Sequence, residues 1–163
     1  MSVGARSGHR VGTSMTEGRT FSPQQVVLDT NVVLDLIVFL DPGVEHIAEA
    51  IRSGAVIPLT TRECLDELRR VLGYSAFTLN SAAQSDAFEQ YCAQGLLIEA
   101  PPSPAPAELP RCADPDDQKF LELAQHTGAR FLLSKDKALL KLARAARRVN
   151  FEILHPAKFI SPT

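Results

Sequence analysis

Asp29, Glu67, Asp117 and Asp136 are the residues whose type and position suggest chemistry. Asp29 ends a short β-branched run, Val26-Val27-Leu28, and precedes a turn-and-cap pair, Thr30-Asn31. An acid at the carboxyl end of a buried strand lies where open α/β sheets form their ligand crevice. Asp136 follows the apolar run Phe131-Leu132-Leu133 through Ser134-Lys135 in the same way. Helical phasing, about 100° per residue, sorts the other acids. In the helix expected over 61–72, Cys64, Leu65, Leu68, Val71 and Leu72 form the apolar face. Glu67 borders that face, one helical step from Cys64 and Val71, whereas Asp66 points almost opposite and Glu63 to the side. Asp117 shares a stripe with Leu121 and Ala124, and Asp136 one with Leu140 and Ala143.

Converging carboxylates need a cation or a proton, because two of them ~5 Å apart repel by about 3 kcal/mol at an effective dielectric near 20. An all-oxygen donor set selects a hard ion, Mg²⁺ or Mn²⁺. Such an ion activates and orients a water against a phosphodiester and stabilises charge on the attacking and leaving oxygens. No Ser/His or Cys/His arrangement suggests a covalent nucleophile instead. The bland account is that first-turn acids complement the helix macrodipole, which would suffice for Asp114, Asp116, Asp117 and Asp136. It explains Asp29 and the mid-helix Glu67 poorly.

The chain that must position these acids has 163 residues, 45% apolar and 22% charged, the size and composition of one globular domain. A net charge of −2 offers no bulk attraction to nucleic acid or membrane, so such binding must come from local patches. Cys64, Cys92 and Cys112 are odd in number and widely spaced, against a disulfide framework or zinc site and compatible with a reducing cytoplasm. The four histidines are scattered and read as surface or packing residues. No apolar run approaches the ~20 residues needed to span a bilayer. Residues 1–21 read as a disordered or poorly ordered leader without the apolar core of a secretory signal, and Met15 could equally begin the chain.

From Ser22 onward strands and helices alternate. Strands are expected at 25–29, 55–59 (with Pro58 as an end or irregularity), 96–98, 129–133 and 151–154. Helices are expected at 31–40, around Ile47 to Ile51, at 61–72, 81–93, 115–127 and 136–149. Thr60 or Thr61 and Asp114 serve as N-caps, and Gly73, Gly95 and Gly128 as stops. Five prolines between Pro101 and Pro110 mark an extended surface loop. The rhythm is that of a parallel sheet of about five strands covered on both faces, a three-layer α/β/α sandwich.

These residues resemble the PIN-domain ribonucleases. The similarity is carried by Leu28-Asp29-Thr30-Asn31-Val32, Leu65-Asp66-Glu67-Leu68, Asp114-Pro115-Asp116-Asp117 with Phe120-Leu121-Glu122-Leu123-Ala124, and Leu133-Ser134-Lys135-Asp136 with Leu139-Leu140. Four motifs in order cover about residues 24–160 and look closest to the toxin branch of toxin–antitoxin pairs. The resemblance implies a single PIN-like nuclease domain over 22–163, acting as an Mg²⁺- or Mn²⁺-dependent endoribonuclease on single-stranded RNA. It implies Asp29, Glu67, Asp117 and Asp136 as catalytic and metal-binding residues. Ser134, where many members have Thr, and Asn31 would support them from behind. Asp114 or Asp116 could also reach the ion, although the helix stripe favours Asp117. The implied partners are RNA and a cognate antitoxin protein; a homodimer is compatible with the resemblance and a membrane is not expected.

For the substrate, Lys135, Lys137, Lys141, Arg144, Arg147 and Arg148 cluster around the last helix, where they form either a phosphate track or a solvated helix face. Tyr74 and Phe77 could stack a base, but packing a helix junction is the favoured role. Two other functions fit less well. A phosphohydrolase or phosphoacceptor would suit Asp29, yet position 31 is Asn where a D-x-D loop needs a second acid. A catalytically silent RNA- or protein-binding module would have no need of all four acids.

Overall fold

The structure, a computed structural model, describes residues 22–99 and 104–162. The expected leader and residues 101–103 of the proline-rich stretch lie outside the described residues. Five strands, β1 (Gln24–Leu28), β2 (Val56–Thr60), β3 (Leu96–Leu97), β4 (Phe131–Leu133) and β5 (Glu152–Leu154), form one sheet in the order β3-β2-β1-β4-β5. Every neighbouring pair is parallel. The helices are α1 (Thr30–Leu34), α2 (Glu45–Arg52), α3 (Arg62–Leu72), α4 (Ser81–Gln94), α5 (Gln118–Thr127), α6 (Lys137–Leu140) and α7 (Ala143–Ala146). The expected three-layer α/β/α architecture is present.

A sheet covered on both faces buries every residue of its central strands, which is why β1 reads as a continuous apolar run. Val26 and Leu28 enter a core with Val32, Ile47, Leu68, Leu72 and Tyr91 on one face. Val27 points the other way, into a core with Leu59, Phe120, Leu121, Leu132, Leu139 and Ile153. Pro58 sits inside β2 rather than at its end. Gln24 N–H donates to the Ala55 carbonyl and Ile98 N–H to that of Thr60, so Pro58 turns its nitrogen toward the β3 side. There β3 starts only opposite Leu59, and no ladder donor is lost.

Two helices differ from expectation. The one expected over 31–40 is α1 followed by a π-helical turn, Asp35–Phe39, closed by Leu40 in the left-handed conformation at φ 48°. The one expected over 136–149 is broken. Leu142 N–H bonds the Leu139 carbonyl in a tight three-residue step between α6 and α7, and a 3-10 turn, Arg147–Val149, follows. The last helix, around which Lys137, Lys141, Arg144 and Arg148 were expected to cluster, is therefore interrupted.

Candidate active site

The chain enters the sheet at its centre, runs outward through β2 and β3, then crosses back to β4 and β5. The carboxyl ends of β1 and β4 are thus the point where the winding reverses, the crevice position of an open α/β sheet. Asp29 leaves β1 there, and Ser134 to Asp136 leave β4.

Ser134 is completely buried and joins the two strand ends. Its hydroxyl donates to Asp29 Oδ2 at 2.6 Å and accepts from Asp136 N–H at 2.9 Å. Asp29 N–H donates to the Leu133 carbonyl and Ser134 N–H to that of Leu154, which holds the junction on the backbone side. Asp29 Oδ1 receives the Asn31 N–H at a long 3.4 Å, so Asn31 supports it through its backbone. Asp136 Oδ1 caps α6, accepting from Ala138 and Leu139 N–H at 2.7 and 3.1 Å. The macrodipole account is therefore correct for one oxygen of Asp136, and the Ser134 bridge ties its backbone to Asp29 as well.

Asp117 and Glu67 act on this junction through their charge. Burial raises the Asp29 carboxyl above its usual range against the Ser134 and Asn31 hydrogen bonds, with Asp136 and Glu67 adding repulsion. Asp117 is pushed up to about 6, by burial first and then by the charges of Asp29, Asp114, Asp136 and Glu67. The four acids thus share one electrostatic neighbourhood. Glu63 and Asp66 are exposed, as the phasing of α3 required. Asp114 is exposed and caps the turn before α5 by accepting from Asp116 N–H at 2.9 Å.

Two cations sit where composition alone did not point. Lys119, on α5, is buried, its ammonium 2.5 Å from Glu67 Oε2. Burial opposes that charge, but the Glu67 hydrogen bond and charge outweigh it and raise the lysine's affinity for its proton. Its sequence signal was the i, i+4 spacing to the buried Leu123. Lys135, expected on a phosphate track, lies 2.5 Å from Asp35 and 3.6 Å from Asp41. Apart from these ammonium groups, the buried Asp35 Oδ2 and Glu67 Oε2 have no partner among the described residues.

Lys137, Lys141, Arg144 and Arg148 are exposed, and Arg147 lies 3.7 Å from Glu152. Asn31, Asp35, Phe39, Lys135, Asp136 and Lys137 line a cleft of about 410 Å³ beside the strand ends. Phe77 packs edge-on against Phe39 at 5.5 Å and stacks on Tyr74 at 6.3 Å, so both expected aromatics serve a helix junction. All three cysteines are free.

Residues 25–138 match the family model described as PIN domain, more than half of the chain. The chain belongs to the PIN domain family. PIN domains are generally nucleases that act on RNA with divalent metals. Against curated proteins the chain has no match. No helix among the described residues is long and apolar enough to cross a membrane.

The fit of this PIN domain to a metal has two sides. Among the described residues no three His, Cys, Asp or Glu side chains are gathered tightly enough to hold an ion as they stand. The donor chemistry does fit. The acids offer only oxygen, Asp29 and Asp117 are raised by burial first and by neighbouring acids second, and Lys119 is the one buried cation among the described residues.

Proposed function

We propose that this protein is a divalent-metal-dependent endoribonuclease that cleaves single-stranded RNA at an acidic centre of Asp29, Glu67, Asp117 and Asp136. The observation that carries the reading is the Ser134 bridge, which fixes Asp29 and the Asp136 backbone together at the sheet's reversal point. Mg²⁺ or Mn²⁺, when bound, supplies charge stabilisation at the phosphodiester and activation of the attacking water. The chain's own residues do the positioning. Ser134 keeps the Asp29 carboxylate in one orientation by donating to Oδ2. Asp136 is pinned by its cap, and Asp117 brings the third carboxylate from the start of α5. Asp114 supports that segment by capping its first turn.

Lys137, exposed in the cleft beside Asp136, is placed to meet an RNA phosphate, with Lys141 and Arg144 further along. Lys135 serves the fold more than the substrate, because Asp35 and Asp41 already engage it. The motif resemblance supports the toxin role, a cognate antitoxin and a homodimer, and the three free, widely spaced cysteines support a cytoplasmic site of action. A silent RNA-binding module is the second reading, favoured by the engagement of Glu67 with Lys119.

Single-stranded RNA cleavage with Mg²⁺ or Mn²⁺, with and without chelator, decides between them. Asp29→Asn and Asp117→Asn should abolish cleavage while the fold persists, and Ser134→Ala should lower it by roughly 10–100-fold, as for lost support of a metal ligand. Cleavage that survives chelation, or full activity in both Asp variants, would sink the site assignment. RNA binding without cleavage at any metal would favour the silent module.

A further inference from the structure

Phe39 and Tyr74 are the exposed aromatic side chains among the described residues, and of the two only Phe39 lines the cleft beside the strand ends. Its exposure comes from the turn that carries it. Leu36 and Ile37 are buried, and in an α-helix Phe39 would follow Leu36 at i+3 onto the same side. The wider π turn, Asp35–Phe39, swings the ring off that side, and Leu40 ends it in the left-handed conformation. The ring emerges 53% exposed, with Phe77 against it in a T-shaped contact at 5.5 Å. Phe77 is itself packed on the core, so it braces Phe39 and leaves the rest of the ring open. A lone exposed ring is ordinary. What singles out Phe39 is what shares its cleft.

The cleft, about 410 Å³, has the volume of a small-ligand site, ~300–1,000 Å³. Its two lysines differ. Lys135 is engaged by Asp35 and Asp41, whereas Lys137 is exposed and has no ion pair among the described residues. Asp136, whose backbone is tied to Asp29 through Ser134, lines the same cleft. An open aromatic ring and a free ammonium in one cleft match the two halves of a nucleotide, its base and its phosphate. We propose that Phe39 is a stacking platform for one unpaired base of single-stranded RNA, with Lys137 on the adjoining phosphate, and that it sets the strand beside Asp136. A base inside a duplex has both faces covered by its neighbours, so the platform selects single strands. Every base has such a face, so it reads no sequence. The inference rests on the RNA-acting reading above and needs no metal ion.

The test reads binding in chelator, apart from turnover. Fluorescence anisotropy follows two labelled strands on the full chain: a single-stranded RNA, and a strand of the same length and charge made of abasic ribose phosphates. Wild type should bind the intact strand roughly 10-fold more tightly than the abasic one. Phe39→Ala should lose that margin and bind the abasic strand as wild type does. Phe39→Leu, which keeps apolar bulk without a flat face, should behave as the Ala variant and stands in for it should that one fail to fold. Phe39→Tyr, which keeps a ring, should bind as wild type. Equal affinity of wild type for the two strands, or a margin that survives in folded Phe39→Ala or Phe39→Leu, would overturn the inference and leave the nuclease reading to its cleavage assay. That result together with a wild-type dimer that Phe39→Ala dissociates, seen by size-exclusion chromatography, would give the ring to a second copy of the chain instead. Base-dependent binding through Phe39 without cleavage at any metal would sink the nuclease reading and leave the stacking platform standing. No RNA binding by wild type would overturn the platform outright.

Discussion

Asp117 gives the acidic centre its clearest pH signature. Its carboxyl is pushed from an ordinary 3.8 to about 6 by burial and by four neighbouring acids. The folded chain therefore holds this proton more tightly than the unfolded one, and ionisation opposes folding. The penalty is absent below pH 3.8, grows between 3.8 and about 6, and is fully present above that. Asp117→Asn should then raise the stability of the metal-free protein at pH 7.5 by about 1 kcal/mol, once solvent screening of a partly exposed group is discounted, and leave it unchanged near pH 3.5. Thermal melts in chelator at the two pH values check this; an equal shift at both would refute the shared-charge account. Sequence phasing singled out Asp117 and Glu67 because an acid on an apolar stripe is conspicuous. Lys119 was equally placed by its spacing to Leu123, but a lysine on a helix is ordinarily solvated and draws no notice. What the sequence could not hold was the pairing of Lys119 with Glu67, which depends on how α3 and α5 pack.

Among the elements, the π-helical turn after α1 has the most to explain. It buries Asp35, which interrupts the apolar run Val32–Leu40, and sends its carboxylate to Lys135 on the loop between β4 and α6. The pair ties the first acid's helix to the loop that ends in Asp136. Lys135→Met should destabilise the protein by about 2 kcal/mol, less than for a fully buried pair because Lys135 is 36% exposed. Asp35→Asn together with Lys135→Met should recover part of that loss. Urea midpoints measure both, and a Lys135→Met midpoint equal to wild type would show the pair to be idle. The interruption by Asp35 was visible in sequence; the π turn was not, since widening one turn by a residue leaves no pattern of its own. The break between α6 and α7 was hidden for a related reason. Leu139 and Ala146, both fully buried, keep the spacing of one helix across it. Caps fared better: Thr61 and Asp114 each accept the backbone N–H bonds that their side chains suit.

For the molecule as a whole, the five strands were readable because a sheet buried on both faces writes itself as short apolar runs between helices. The order of those strands was not, because pairing across the sheet has no local signature. The family match stops at residue 138, yet the sheet does not. β5 supplies the carbonyl that receives Ser134 N–H, and beyond it Phe159 packs on Phe131 at 5.4 Å. His46 Nε2 meets the Pro156 carbonyl at 3.1 Å, fastening this segment to α2. A chain ended after residue 138 should lose cooperative unfolding and associate through the bare edge of β4, which circular dichroism melts and size-exclusion chromatography would reveal; a monomer with a sharp transition would contradict this. The long reach of the Ser134–Asp29 hydrogen bond, 105 residues along the chain, carries a consequence in time. During synthesis Asp29 emerges early and has none of its partners. The centre comes into being only when β4 inserts beside β1, one of the last and slowest contacts such a topology makes. On the ribonuclease reading proposed above, a half-made or prematurely ended chain would be harmless to RNA, because the Ser134–Asp29 junction forms only once β4 is in place.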